Sequence, residues 1–168
     1  MIMKKILYIL MALMCIAGCK EPTPTPPTPG PGPDPVPPGP EPVETLASKI
    51  VTEWHCTVSD IDADIYLSLG NFFTFELYQK IGEGAYRLYK GTWELDEDTA
   101  MLSGKYNDGT PWGSGYTVAV SEDGNSMTLT SSTGSEEQTY RKETVPAAVK
   151  DGCVVVVKSD GGIESPVL

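Results

Sequence analysis

From residue 50 onward the chain alternates apolar and polar positions, most cleanly in Ile61-Asp62-Ala63-Asp64-Ile65-Tyr66-Leu67-Ser68-Leu69. Successive side chains of a β-strand point to opposite faces, so a period of two marks a half-buried strand. Ile61, Ala63, Ile65, Leu67 and Leu69 are expected on one face, and Asp62, Asp64, Tyr66 and Ser68 on the other. In the preceding run, residues 50–58, Ile50, Trp54, Cys56 and Val58 share a face. Gly70-Asn71 predicts a two-residue hairpin turn. It leads into residues 72–80, where Phe73, Phe75 and Leu77 fall on one side. Further strands are expected over 85–95, 99–106, 116–121, 126–131 and 137–142, divided by short runs rich in Gly, Asp and Asn. Gly91 lies inside the longest of them, where it allows a bend ahead of Trp93.

Eight strands joined by short links predict an antiparallel meander rather than βαβ units. Closing such a sheet removes its exposed edges, and an eight-stranded interior is either filled by side chains or holds one small ligand. Residues 43–49 read as a helical lead-in with Leu46 and Ile50 on one side. Residues 145–150 read as a short helix with Pro146 in its first turn and Gly152 beyond its end. A β-branched run over 153–158 adds an extra strand. The expected fold is all-β: an eight-stranded antiparallel barrel with a short C-terminal helix and one additional strand, spanning 43–168.

The first quarter follows other rules. Lys4 and Lys5 precede an apolar run over 6–17, shorter than the roughly 20 residues that a membrane span needs. Basic residues, a short apolar core and small residues at the cut describe a secretory signal over 1–18. Ile16-Ala17-Gly18-Cys19 resembles the bacterial lipobox, which implies cleavage after Gly18 and a diacylglycerol thioether on Cys19. Residues 19–42 then form a linker, since 20–42 carry 12 of the 15 prolines. Proline fixes φ and lacks an amide donor, so this tract reads as an extended spacer of at most ~70 Å. The chain is therefore expected in the cell envelope, anchored at the outer membrane, with the periplasmic face and the cell surface both open. Lys20 is followed by a single acid, Glu21, before Pro22, which leaves that choice undecided.

Removing residues 1–18 takes away two lysines and no acids, so the net charge of −11 becomes −13. Such a chain is repelled by nucleic acid and by anionic head groups, which argues against both as partners.

Gly91-Thr92-Trp93-Glu94-Leu95 and the stretch from Leu102-Ser103-Gly104-Lys105-Tyr106 through Asn107-Asp108-Gly109-Thr110-Pro111-Trp112 resemble the lipocalin-like lipoproteins of Bacteroidetes. Met127-Thr128-Leu129-Thr130 and Tyr140-Arg141-Lys142 with Val145-Pro146 extend the likeness to roughly residues 50–150. The resemblance implies a calycin-type barrel. It also implies that Arg141 lies over Trp54 in a cation–π contact, as an arginine near the last strand does in lipocalins. Thr52 stands where lipocalins carry a glycine.

Catalytic chemistry is sparse. His55 is the one histidine and alternation turns it away from Trp54, toward solvent. Ser114 lies in Gly113-Ser114-Gly115, which lacks the strand-to-helix setting of a nucleophile elbow. Asp60, Asp62 and Asp64 have the spacing that opens a calcium loop, but Ile65 and Asn71 occupy the positions of its glycine and closing glutamate. No zinc spacing or phosphate loop occurs, so no metal, cofactor or enzymatic activity is expected. Cys56 and Cys153 remain after Cys15 leaves with the signal and Cys19 is acylated. In an envelope compartment they are either a disulfide or two free thiols.

Aromatic residues carry the remaining functional signal. Trp54, Phe73, Phe75, Tyr86, Trp93, Trp112 and Tyr116 read as the lining of an apolar pocket or as ordinary core, with Trp112 in a glycine-rich loop suited to the rim. Two functions follow: a barrel that binds a small apolar or amphipathic ligand, and a filled barrel that engages an envelope partner through its loops or outer face. An interior packed solid by Leu67, Phe73, Phe75 and Trp93 would sink the ligand-carrier reading.

Overall fold

The structure, a computed structural model, describes residues 43–134, 136–156 and 168. The signal, Cys19 and the proline spacer lie outside the described residues, as does the end of the extra strand expected over 153–158. The elements in chain order are α1 (Leu46–Ile50), β1 (Glu53–Val58), β2 (Ala63–Leu69), β3 (Thr74–Ile81), β4 (Arg87–Asp96) and β5 (Met101–Tyr106). After them come β6 (Tyr116–Val120), β7 (Ser126–Ser131), β8 (Glu137–Lys142), α2 (Ala147–Gly152) and β9 (Val154–Val155). Each of β1 to β7 pairs antiparallel with the next, and β8 returns to β1 through Trp54–Lys142 and His55–Arg141. The meander thus closes into a barrel, and β9 lies outside it, parallel to the start of β4 through Arg87–Val154 and Leu88–Val155.

The alternation read from the sequence sets the inside. Trp54 and Cys56 (β1), Ala63, Ile65, Leu67 and Leu69 (β2), Phe75 and Leu77 (β3), and Tyr89 and Trp93 (β4) belong to one buried cluster. Leu102, Tyr106, Tyr116, Val118, Met127, Leu129 and Tyr140 complete it from the other four strands. Each large apolar side chain taken out of water stabilises the fold by roughly 1.5–3 kcal/mol, so this cluster is the main reason the barrel forms. At one end α1 closes it. Ile50 is fully buried, the Trp54 indole Nε1 donates to the Ile50 carbonyl at 2.9 Å, and Glu97 accepts from the amides of Leu46 and Ala47 at 3.0 and 2.9 Å.

The opposite outer face has its own small core. Tyr66, Tyr78 and Leu88 point outward from β2, β3 and β4, and Val145 and Val149 of the α2 segment cover them. Glu53 fastens this cover by accepting from the Val145 amide at 2.9 Å and from Lys150 Nζ at 2.8 Å.

Three expectations change. The first strand begins at Glu53, because α1 runs through Ile50. Ile61 is not in β2 but in a 3₁₀ turn over Ser59–Ile61, ended by Asp62 in the left-handed region at φ 49°. The hairpin between β2 and β3 is longer than two residues. The Gly70 amide bonds the Thr74 carbonyl at 2.8 Å, the Phe73 amide bonds the Gly70 carbonyl at 3.2 Å, and Phe73 has φ 55°. This is a type I turn followed by a left-handed residue, a place that usually belongs to glycine. Phe73 therefore leaves the inner face predicted for it and stands 55% exposed at the turn, its ring tilted against Trp93 at 5.0 Å.

Candidate functional site

Most of the barrel interior is occupied. Trp54, Phe75, Trp93, Leu67, Leu77, Leu102, Met127 and Leu129 are essentially inaccessible, so the aromatics Trp54, Phe75 and Trp93 are core rather than the wall of a deep pocket. Trp112 also belongs to the core and not to the rim. Its loop folds back over β5, with the Trp112 amide on the Gly104 carbonyl at 2.9 Å, and the indole lies on the bare Cα of Gly104. Phe75 meets it edge-on at 5.1 Å and Tyr116 at 6.3 Å. The physical reason is the seam between β5 and β6, which pair at Met101–Thr117 and Leu102–Tyr116. Trp112 and Tyr116 fill the gap this short pairing leaves. Trp112 is 5% exposed, and its Nε1–H has no acceptor among the described residues.

The end away from α1 differs in chemistry. On β3 the inward phase continues past Phe75 and Leu77 to Gln79, whose side chain is buried, and to Ile81. Arg87 is paired opposite Gln79 and lies in phase with inward-facing Tyr89. Gln79, Ile81 and Arg87, with Glu83, Gly84, Ala85 and Val154, border a hollow of about 200 Å³. A short distance inward, Tyr89 packs against Tyr106 with ring centres 6.1 Å apart. The Tyr106 hydroxyl donates to the Leu168 carbonyl oxygen at 2.7 Å, and the Leu168 side chain is 4% exposed within the barrel cluster.

Burial raises the phenols here. Tyr106 is pushed well up by loss of water and then by Tyr116 and Tyr89, and Tyr116 is pushed up to about 12, mainly by burial. Tyr140 rises for the same reason, with Cys56 as its next influence, and donates to Gln138 Oε1 at 2.9 Å. All three are neutral donors at physiological pH. This end of the barrel thus gathers the Tyr106 hydroxyl, the Gln79 amide and the Arg87 guanidinium beside apolar side chains.

A second polar group lies on the outer face of β1 and β2. His55 Nε2 meets Asp64 Oδ1 at 2.7 Å, His55 Nδ1 meets Glu143 Oε2 at 2.9 Å, and the ring stacks on Tyr66 at 4.2 Å. Tyr86 is not inside the barrel as expected. It precedes β4, so its phase is outward; its hydroxyl donates to Asp64 Oδ2, and Lys80 Nζ lies 5.3 Å from its ring centre. Burial raises the Asp64 carboxyl, but the bonds from Tyr86 and His55 outweigh it and hold the group below the ordinary aspartate range. His55 is therefore tied into the surface by two carboxylates and a ring. Among the described residues no set of three His, Cys, Asp or Glu is arranged to hold a metal ion.

The cation–π contact implied by the resemblance does not form, and of the two states left open for Cys56 and Cys153 the structure shows free thiols. Arg141 is exposed opposite His55, on the outer phase of β8, while Trp54 is sealed inside, so the cation–π contact between them is absent. Cys56 and Cys153 are both free thiols. Cys56 points into the barrel, where burial lifts it to about 11, whereas Cys153 packs with the α2 cover outside and donates to the Lys150 carbonyl at 3.1 Å. The barrel wall separates them.

Gln79 and Arg87 were legible in principle, as polar residues standing in the apolar phase of their strands. Leu168 was not, because nothing in its local sequence marks a return to the barrel.

Comparison with protein-family models gives no match, and comparison with curated proteins gives none either. Among solved structures, the NMR structure of a protein from Bacteroides uniformis matches at 14% identity and a TM-score of 0.47, covering 60% of this chain and 94% of that one.

Proposed function

We propose that this chain is a lipocalin-like lipoprotein of the cell envelope, anchored through Cys19, whose barrel binds a small amphipathic ligand and performs no catalysis. The observation that carries this reading is the hollow of about 200 Å³ at the mouth, with Gln79, Ile81 and Arg87 on its border. Ligand pockets commonly measure about 300–1,000 Å³ and combine an apolar surface with a few polar groups. A hollow below that range suits a short ligand, and the filled interior keeps it at the mouth rather than along the barrel axis.

Native mass spectrometry of the freshly purified mature protein tests the reading; a small molecule released on unfolding supports it, and consistently bare protein counts against it. For the anchor, Cys19→Ala is expected to move the protein out of the membrane fraction, and unchanged retention there would remove the lipid from the account.

A second reading, an interaction lipoprotein, draws on the hairpin tip. Phe72 is 89% exposed beside Phe73, which sits at a positive φ that a bulky residue rarely adopts. A photo-crosslinking residue at position 72 should trap an envelope protein in living cells, and clean monomer there would sink this alternative.

A further inference from the structure

We propose that this protein carries a second binding site, on the outer face of β2, β3 and β4, and that it takes a neutral saccharide. The site is independent of what the mouth binds. On that face the row Tyr66, Tyr78 and Leu88 is covered by Val145 and Val149. The next outward row is bare. Ser68 on β2 stands opposite Glu76 on β3, Glu76 stands opposite Lys90 on β4, and the Asn107 backbone amide bonds the Lys90 carbonyl at 2.9 Å. With strands about 4.8 Å apart this row runs roughly 14 Å, the span of a disaccharide. Toward the hairpin its border is Gly70 and Thr74, small enough to leave a hollow of about 380 Å³. That volume falls within the usual range of ligand pockets, about 300–1,000 Å³.

The chemistry of the wall selects the ligand. Glu76 Oε1 accepts from Lys90 Nζ at 2.6 Å and Oε2 accepts from the Tyr78 hydroxyl at 2.8 Å. Burial raises the Glu76 carboxyl, but these bonds outweigh it and hold the group below the ordinary glutamate range, so it stays an ionised acceptor. An ammonium has three donors, which leaves Lys90 with further N–H groups to give. The Ser68 and Thr74 hydroxyls and the Asn107 side-chain amide bond no other described residue. Donors and acceptors therefore stand side by side with their charges paired. Adjacent hydroxyls of a sugar match this, one accepting from Lys90 while its neighbour donates to Glu76, both in charge-assisted bonds. An anion would face Glu76 in a chain of net charge −11, and an apolar ligand would strip these groups of water without replacing it. Phe72 supplies the apolar side. It is 89% exposed in the turn that joins Gly70 to Thr74, where the C–H face of a sugar can pack on its ring. Phe73 holds that turn at φ 55° with its ring against Trp93, a conformation that bulky residues adopt mainly at functional sites.

The test uses the chain from Cys19 onward with Cys19→Ala, so that the compact unit of residues 41–168 keeps its spacer and stays in solution. Glucose, galactose, mannose, N-acetylglucosamine, maltose and cellobiose are the probes, each titrated to millimolar concentration and followed by the backbone amide signals in NMR. At least one probe should move Ser68, Thr74, Glu76, Lys90 and Asn107 together and saturably, leaving Gln79 and Arg87 in place. Asn107→Ala, which keeps the ion pair, should weaken that probe about fivefold, the scale of one lost hydrogen bond. Phe72→Ala should weaken it by a similar factor, and Lys90→Met by about tenfold or more, since a charge-assisted bond is lost. No saturable shift with any probe would overturn this site and leave the reading of the mouth untouched. Shifts confined to Gln79 and Arg87 would move the sugar to the mouth and overturn it equally, as would an affinity unchanged in all three variants.

Discussion

Replacing Gly91 with alanine asks whether the inner surface of β4 is as tightly closed as the core suggests. A Cβ at this position would lie 2.0 Å from the Lys105 carbonyl oxygen, 2.7 Å from Cε1 of Phe75 and 2.9 Å from the Lys105 carbonyl carbon. The first and third neighbours are backbone, fixed by the β4–β5 register in which Gly91 opposes Tyr106 and Thr92 opposes Lys105. The second cannot swing aside, because Phe75 is held edge-on between Tyr106 at 5.6 Å and Trp112 at 5.1 Å. Relief therefore requires the two strands to part by more than 1 Å. Overpacking costs about 1–3 kcal/mol, occasionally more, and each ladder hydrogen bond lost adds about 1. The gain from replacing a flexible glycine in a strand is only about 0.5–1 kcal/mol. With two ladder bonds lost, these terms leave a net loss of about 2–4 kcal/mol, a large part of the roughly 5–15 kcal/mol that holds a domain together. Urea unfolding followed by the fluorescence of Trp54, Trp93 and Trp112 measures it; with a slope of about 2 kcal/mol per molar, the midpoint should fall by about 1–2 M. Gly109→Ala is the control, since no atom lies within 4 Å of its added Cβ and only the φ of +87° opposes it. A midpoint for Gly91→Ala at or above that of Gly109→Ala would refute the close approach of the strands.

The remaining expectations are smaller and separable. In the unit of residues 41–168, iodoacetamide should add one group to the native protein, at Cys153, and a second at Cys56 only after unfolding, because the Cys56 thiol is buried and raised to about 11; mass shifts appearing only after a reductant would show a bridge instead. Glu97→Ala should release the α1 amides of Leu46 and Ala47 to faster hydrogen exchange and cost about 1 kcal/mol, the usual scale for losing a helix N-cap acceptor. Asp64 titrates below its unfolded value, so the unfolded chain takes the proton first as pH falls, and the stabilisation present above the unfolded pKa is lost as pH drops through the folded one. Asp64→Asn should therefore flatten the decline in urea midpoint between about pH 6 and pH 3, whereas an unchanged slope would move the acid sensitivity to other carboxylates.

Strand number, order and inward phase were readable because a closed eight-stranded meander buries one face of every strand, and burial writes a period of two into the residues. What failed lies at strand ends, where the phase is reset by turn geometry rather than by burial. The hairpin at Gly70 gained a residue because Phe73 occupies a left-handed position that the sequence reserves, on average, for glycine; that one residue sends Phe73 out and leaves Phe75 in. Tyr86 went outward for the related reason that β4 begins one residue after it. Trp112 was read from its loop as a rim residue, but the deciding facts are non-local: a bare Gly104 to lie on and a short β5–β6 pairing to seal. The cysteines could be counted, yet only a closed wall between Cys56 and Cys153 decides against their meeting.

The same distinction between phase and ends bears on function. A residue in the apolar phase of a strand is normally selected for packing, and a buried polar side chain there costs stability unless its hydrogen bonds are met. Gln79 and Arg87 break the apolar phase at neighbouring positions on paired strands, at the end of the barrel that α1 leaves open. At the closed end the inward positions are the fully buried Ile50, Trp54 and Trp93, with both indoles bonded to backbone carbonyls at 2.9 and 3.0 Å. One end of the barrel is thus built for stability alone, and the other departs from the rule that built the rest. Sites that break local consistency at a cost in stability are where binding chemistry is expected. The polar break, the hollow beside it and the Leu168 oxygen on Tyr106 coincide at that one end.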